Sequence, residues 1–484
     1  MNMARCTLVL MAATLVACRD STAPRDHAPL TIVAGASVTD TIGTQLIQAL
    51  MVEVTDRSGH PIPNVVVRFT SLPASTGDAP TAYIAPLTQT SYGSFVADST
   101  DSAGRSAVLV ELGRVAGPAG VQIIVPVLGL SDTARYTVQP GAAAHIKISV
   151  RDTSVARGTQ YSLAATPTDR FGNLRPSDSI SFTSESPVVT VDARGNVTAA
   201  QEGRGTILVH SGTANDSATV SVFPLGTLVL WGGGQLAVAN TDGSDRKLLT
   251  TSNNAVLDPQ WSPDGSKVLI YEDNPESGAR ISTVDMNGAR TPIVGPNASI
   301  RAASYGRYTR DGSWIYFTGV GTSNYTYVTW RVHPDGTQLE QVGPTAAQGG
   351  SLRPDVSPDG STVVYQVPGG DLGLIAAMNV STQTITSLGV TGTFPTFSPD
   401  GSQIAFFGAN PGGAKGVFVM NADGTSVRQL SPINQAYHAF GLSWSPDGKW
   451  IVAAATTNNV DLLRVSDGLR LPLRLSGFEV DWKP

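Results

Sequence analysis

Trp261-Ser262-Pro263-Asp264-Gly265, followed by Lys267-Val268-Leu269-Ile270-Tyr271, is the stretch from which the fold is read. It returns as Tyr308-Thr309-Arg310-Asp311-Gly312, Val356-Ser357-Pro358-Asp359-Gly360, Phe397-Ser398-Pro399-Asp400-Gly401 and Trp444-Ser445-Pro446-Asp447-Gly448. An apolar or aromatic residue opens each copy, and a β-type run such as Gln403-Ile404-Ala405-Phe406-Phe407 follows. Proline presets φ for the first central position of a type I turn, Asp suits the second, and Gly takes the positive φ that follows. Each copy therefore predicts a β-hairpin. Five hairpins spaced 41 to 48 residues apart predict a repeat architecture.

A second turn recurs about 20 to 24 residues after each first one, at Asp285-Met286-Asn287-Gly288, His333-Pro334-Asp335-Gly336, Asn421-Ala422-Asp423-Gly424 and Ser466-Asp467-Gly468. The third repeat departs, with Asn379-Val380-Ser381-Thr382 in place of a Gly turn. Two turns per repeat imply four strands, the size of a propeller blade. Ahead of the first full repeat, Thr227–Trp231, Gln235–Gly243 and Arg246–Thr250 supply three strands without a first one. At the other end Gly477 to Pro484 is a first strand alone, with Trp482 in the aromatic slot. The two fragments complete one blade, so residues 225–484 predict a six-bladed β-propeller closed by its N- and C-terminal strands. Closure removes unpaired sheet edges. These repeats resemble the TolB-type propeller repeat, whose hairpin also occurs in prolyl-oligopeptidase-like enzymes and some sugar lyases. TolB itself carries a small α/β domain ahead of its propeller and is soluble in the periplasm. This chain departs from that arrangement, so TolB's partner, the peptidoglycan-associated lipoprotein, is not carried over.

Residues 30–140 are all-β in pattern. Ala49 to Val54 leads to a turn at Asp56-Arg57-Ser58-Gly59, then to Val65 to Thr70, and Thr100 to Arg105 precedes Ala107 to Leu112. Short strands with regular turns predict a sandwich, and the segment resembles the Ig-like domains of the intimin and invasin type. Ser71 to Ser94 reads as a Thr/Ser/Pro-rich insertion. Residues 141–224 form a second β unit, in which Thr183 to Asp192, Gly195-Asn196-Val197-Thr198-Ala199 and Gly203 to Val209 resemble the other common bacterial Ig-like group. Such modules act as spacers or adhesive units, and fold alone does not choose between those roles. The expected fold class is all-β, with two Ig-like β-sandwiches ahead of the propeller.

With 484 residues, 50 Gly, 31 Pro and 14% charged residues, the chain suits several turn-rich domains. A formal charge of −6 argues against a nucleic-acid partner. Both cysteines lie in the first 18 residues. Met1 to Arg5 is a short basic region and Cys6 to Ala17 an apolar stretch, too short to span a bilayer but suited to a signal peptide. Leu15-Val16-Ala17-Cys18 resembles the lipobox of bacterial lipoproteins. That resemblance implies a signal peptide at 1–17, lipidation of Cys18, a flexible tether over 18–29 and a membrane partner through the anchor. The mature chain would have no disulfide, so its stability must come from its cores.

The sequence holds no Gly-x-Ser-x-Gly elbow, phosphate loop or dinucleotide fingerprint, and its six histidines are scattered out of metal-ligand spacing. Asp-x-Asp-x-Asp-Gly is also missing, so the turn aspartates read as closing their own turns and the aromatics as wedges between blades. No catalytic residue, metal or cofactor is expected. The better candidates precede the aromatic slot. In a regular pleat, residues one and three before it share a side, here that of the central channel. One before are Gln260, Arg307, Asp355, Thr396, Ser443 and Asp481; three before are Asp258, Tyr305, Arg353, Phe394, Gly441 and Glu479. The charged and amide members, Asp258, Gln260, Arg307, Arg353, Asp355, Glu479 and Asp481, form the candidate binding surface. The expected function is that of a non-enzymatic, monomeric cell-envelope lipoprotein, anchored to the outer membrane and facing the periplasm or the cell surface. Its propeller would bind a protein or glycan while the Ig-like modules act as a stalk. Alternatives are a propeller enzyme acting on polysaccharide or peptide, with Asp258 and Glu479 or Asp481 as an acid–base pair, and a structural adhesion component.

Overall fold

The computed structural model describes residues 29–75, 79–89, 91–251, 255–274, 278–297, 299–322, 325–370, 372–433 and 435–484. Cys18, the signal segment 1–17 and all of the tether but Pro29 lie outside the described residues. The chain is all-β. Among the described residues, helix is confined to two three-residue 3-10 turns, Pro126–Leu128 and Ala346–Gln348. No helix there is long and apolar enough to cross a membrane. The described residues form two compact units: one of 29–147 with 166–180 and 211–214, the other of 148–165, 181–210 and 215–484.

In the first unit, alternation sets the layers. Leu50, Val52 and Val54 are fully buried while Met51 and Glu53 between them are not, as the period of a strand requires. Strands Leu30–Ala34, Leu50–Val54, Arg105–Leu112 and Ala82–Pro86 make one sheet. Val38–Thr41, Leu130–Gln139, Gly117–Val125, Val66–Ser71 and Phe95–Ser99 make the other. Both contribute to one core, with Val108, Val110 and Ile84 from the first and Phe69, Val121 and Ile123 from the second. The stretch that reads as an insertion therefore holds a working strand: Ala82, Ile84 and Ala85 are fully buried, and Ala82–Pro86 pairs with Val108 to Leu112.

In the second unit, strands of residues 227–484 fall into six four-stranded groups, designated sheets I to VI. Sheet I holds Thr227–Gly232, Gln235–Asn240 and Lys247–Thr251 together with the last strand, Glu479–Trp482. That pairing is antiparallel, with Leu228 opposite Trp482 and Leu230 opposite Val480. Sheets II, III and VI open with Ala255–Trp261, Ile300–Tyr308 and Tyr437–Trp444. Sheets IV and V are continuous, because the 13-residue strand Ile385–Phe397 ends one and opens the other. In the divergent third repeat, Asn379 closes the turn in place of Gly. Its side-chain oxygen accepts the N–H groups of Ser381 and Thr382, and Gln383 takes the positive φ.

The second Ig-like segment does not hang free of these sheets. Ala156 and Phe223 share a core with Leu228 and Val480 of sheet I and with Trp450 and Leu462 of sheet VI. Glu202 accepts the indole N–H of the fully buried Trp450 at 2.9 Å. Trp482 lies in this core with 6% exposure. Trp482→Ala is expected to lower the unfolding free energy by about 3–5 kcal/mol, read by tryptophan fluorescence in urea, since all seven tryptophans follow residue 230. Val127→Ala, at 75% exposure, should stay within about 0.5 kcal/mol of the parent chain.

Candidate functional site

The repeated turn fixes the geometry from which the site is built. Ser262, Thr309, Ser357, Ser398 and Ser445 each donate a hydroxyl hydrogen bond to the Asp two residues on, at 2.5 to 2.7 Å. Each hydroxyl also accepts the N–H that opens the next strand, at 2.9 to 3.0 Å. The Ser262 hydroxyl, with the amide and hydroxyl of Ser266, holds the Asp264 carboxyl down at about 2. These aspartates are committed to their own turns.

Just before the turn, the regular pleat does not hold. Five first strands carry a register shift, and the residue three before the aromatic slot sits at positive φ: 53° at Asp258, 54° at Tyr305, 52° at Arg353, 52° at Phe394 and 77° at Gly441. This is a β-bulge, and the extra residue breaks the alternation. Residues one and three before the slot therefore do not share a side by simple parity.

The one-before residues tie neighbouring sheets together. Asp481 accepts the N–H of Trp261 at 2.7 Å, Gln260 that of Tyr308 at 3.0 Å, Asp355 that of Phe397 at 2.7 Å and Ser443 that of Trp482 at 3.1 Å. Thr318 accepts the N–H of Arg353 at 2.9 Å, and the indole of Trp444 donates to the Thr396 carbonyl at 3.1 Å. Every sheet is thus bonded to the next, and VI to I. Arg307 has no acceptor to offer at this position. It turns to Asp258 instead, in a bidentate pair at 2.6 and 2.9 Å with side-chain exposures of 17% and 6%.

Six of the seven candidate residues, Asp258, Gln260, Arg307, Asp355, Glu479 and Asp481, line one cavity of about 270 Å³. The seventh, Arg353, does not. It lies over the rings of Phe394 and Tyr305 at 4.3 and 5.1 Å and donates to Gln366 and Thr393, both at 2.7 Å. These partners, rather than a backbone φ of 52° that Asp258 matches at 53°, keep it off the lining of this cavity, where the sequence had placed it.

The cavity is rich in carboxyl groups with one paired guanidinium. Glu479 is 4% exposed and accepts the N–H of Asp258. Burial, then the Asp258 charge, pushes its carboxyl up to about 8. Burial likewise raises Asp481 to about 6, against the opposing hydrogen bond of Ser443. Asp355 is raised by burial, with Arg307 opposing. Burial would lower Arg307, but the Asp258 charge outweighs it and holds the guanidinium firmly protonated. Among the described residues no group of three His, Cys, Asp or Glu is arranged to hold a metal ion.

The mouth was not foreseen from sequence. Pro358, Pro399, Pro446 and Pro484 rim it together with Arg310, and Trp444 and Trp482 line the wall. The signal was present in the motif itself, whose proline lines the cavity in three of the five turns, at Pro358, Pro399 and Pro446.

Residues 142–222 match the family model of the bacterial Ig-like domain, group 2. Solved structures are similar over larger shares of the chain. The crystal structure of TolB from Acinetobacter baumannii is 19% identical, covers 63% of this chain and 83% of its own, and has a TM-score of 0.46. A nidogen–laminin complex structure is 13% identical, with coverage of 54% and 99% and a TM-score of 0.43. An oligogalacturonate lyase from Vibrio parahaemolyticus is 11% identical, with coverage of 52% and 72% and a TM-score of 0.34.

Protonated Glu479 makes stability pH-dependent. Its folded pKa lies above its ordinary value, so the folded chain holds a proton that the unfolded chain has released. That stabilisation is complete below 4.5 and is lost as pH rises to about 8. The unfolding free energy should fall across this window, and Glu479→Gln should remove up to one proton's worth of slope, about 1.4 kcal/mol per pH unit. Urea titrations by tryptophan fluorescence across the window measure it; an unchanged slope in the variant would contradict the assignment.

Proposed function

We propose that the chain is a non-enzymatic bacterial envelope lipoprotein in which residues 225–484 form a closed six-bladed β-propeller, and that a partner protein docks at the proline-rimmed cavity. The observation that carries this reading is a single cavity lined by the first strands of sheets I to VI. The sheet-to-sheet hydrogen bonds, returning from VI to I, support closure. Residues 30–140 act as the spacer of the stalk. The second module, 141–224, serves as the propeller's base, which its shared core with sheets I and VI supports. Cys18 carries the lipid anchor, in the outer membrane.

Binding is favoured over catalysis by how the carboxyl groups are used. Both Asp258 oxygens are held by Arg307. Asp355 and Asp481 each accept a backbone N–H from a neighbouring sheet, and Glu479 faces the Asp258 amide. An acid–base pair needs a group within reach of the proton it moves, and these are occupied in holding the ring. Rigid prolines and aromatic walls suit a protein surface, because they lose little side-chain entropy on binding.

A photo-crosslinking residue placed at Pro446 in the full chain, expressed in its own bacterium, should give a discrete protein adduct. The same residue at Val127 should not. Cys18→Ser should abolish labelling by a radioactive fatty acid and reduce the Pro446 adduct. Adducts at Val127 alone, or fatty-acid labelling unaffected by Cys18→Ser, would contradict the reading.

A further inference from the structure

One of the five repeated turns is irregular. In four turns the motif places a proline, Pro263, Pro358, Pro399 or Pro446, and the last strand adds Pro484. Three of these lean on the glycine of the next turn. A Cβ placed at Gly312 would meet Pro263 at 3.8 Å, one at Gly401 would meet Pro358 at 3.2 Å, and one at Gly448 would meet Pro399 at 3.8 Å. The Lys483 side chain covers Gly265 in the same way. The exception follows Arg310: a Cβ placed at Gly360 would meet nothing within 4 Å.

Arg310 goes elsewhere. It is exposed, and its guanidinium donates to the carbonyl of Pro399, in the turn that follows the first strand of sheet V. Among the described residues it has no ion-pair partner, so one hydrogen bond to a neutral acceptor holds it in place. It lines the same cavity as Asp355, Glu479 and Asp481, where the guanidinium of Arg307 is already paired with Asp258.

We propose that Arg310 is a built-in occupant of the mouth, a bar that a partner protein displaces by presenting an arginine side chain of its own. The inference rests on the docking reading above and names what the partner brings. A guanidinium fits because the cavity already accommodates one: a planar cation offers donors to the Pro399 carbonyl and shares the cavity with Asp355 and Asp481, each of which has one oxygen committed to a backbone N–H. Its alkyl stem packs against the proline and tryptophan wall. The bar also sets specificity, since an uncharged side chain would displace Arg310 without replacing its charge.

The test uses acetyl-Gly-Arg-Gly-amide and its citrulline counterpart, which keeps the shape without the charge, titrated calorimetrically into the full chain. Arg310→Pro restores the residue found in the other turns, and Arg310→Ala serves as the second variant. Both should bind the arginine peptide at least tenfold more tightly than the parent chain does, and bind the citrulline peptide at least tenfold more weakly than the arginine one. Equal affinity in parent and variants, equal affinity for the two peptides, or no binding by variants that melt like the parent would each overturn the proposal. Because the probe is a peptide, this outcome is independent of the cellular crosslink. A tenfold gain without a protein adduct would sink the docking reading and leave the arginine site standing, and the reverse would do the opposite.

Discussion

A backbone N–H that leaves water at the seam between two sheets must find an acceptor, and this requirement organises the second unit. Leaving it unmade costs roughly 1–3 kcal/mol, so the acceptor is under strong constraint. At four seams the side chain one before the aromatic slot provides it: Asp481, Gln260, Asp355 and Ser443. Where Arg307 stands at that position, a donor occupies an acceptor's place. The Asp258–Arg307 pair and the Thr318 hydroxyl, which accepts the Arg353 N–H, are the local solution. The carboxyl groups that suggest chemistry are in the first place the means by which six sheets are joined.

The same constraint produces the cavity's character. Carboxyl groups drawn to the seams are buried together, so burial and the Asp258 charge raise the cost of ionising Glu479 and Asp481. Glu479 answers by keeping its proton near neutral pH, and Asp258 by recruiting Arg307. The result is a small polar chamber whose walls are fixed by the scaffold, with a rim of rigid prolines. Fixed polar groups under a rigid apolar rim are what a recognition site needs, because little has to be ordered when a partner arrives. The second Ig-like segment adds to that rigidity by sharing its core with sheets I and VI.

Much of this was legible in the sequence. The Ser-Pro-Asp-Gly turns counted the hairpins, and the orphan strands at either end paired as the split group Thr227–Gly232 with Glu479–Trp482. Six of seven candidate site residues met in one cavity. Arg353 did not, because its guanidinium lies over the rings of Phe394 and Tyr305 and bonds Gln366 and Thr393, partners that only the assembled sheets bring to it. The strand Ala82–Pro86 was hidden in a Thr/Ser/Pro-rich stretch, since its burial depends on pairing with Arg105–Leu112, which follows it at a distance. The role of Gln260, Asp355 and Asp481 as acceptors was equally out of reach, because their donors lie more than 40 residues away.

The proposed docking surface is the proline-rimmed mouth, and it can be watched in the cell. Hydroxyl-radical footprinting of the full chain in intact cells and after purification measures this directly. Docking there predicts that Pro446, Pro399 and Arg310 are protected in cells relative to the purified chain, while Val127 and Phe95, exposed in the first unit, react equally in both. Protection confined to Leu30–Gln139, with the rim equally reactive in both states, would contradict it.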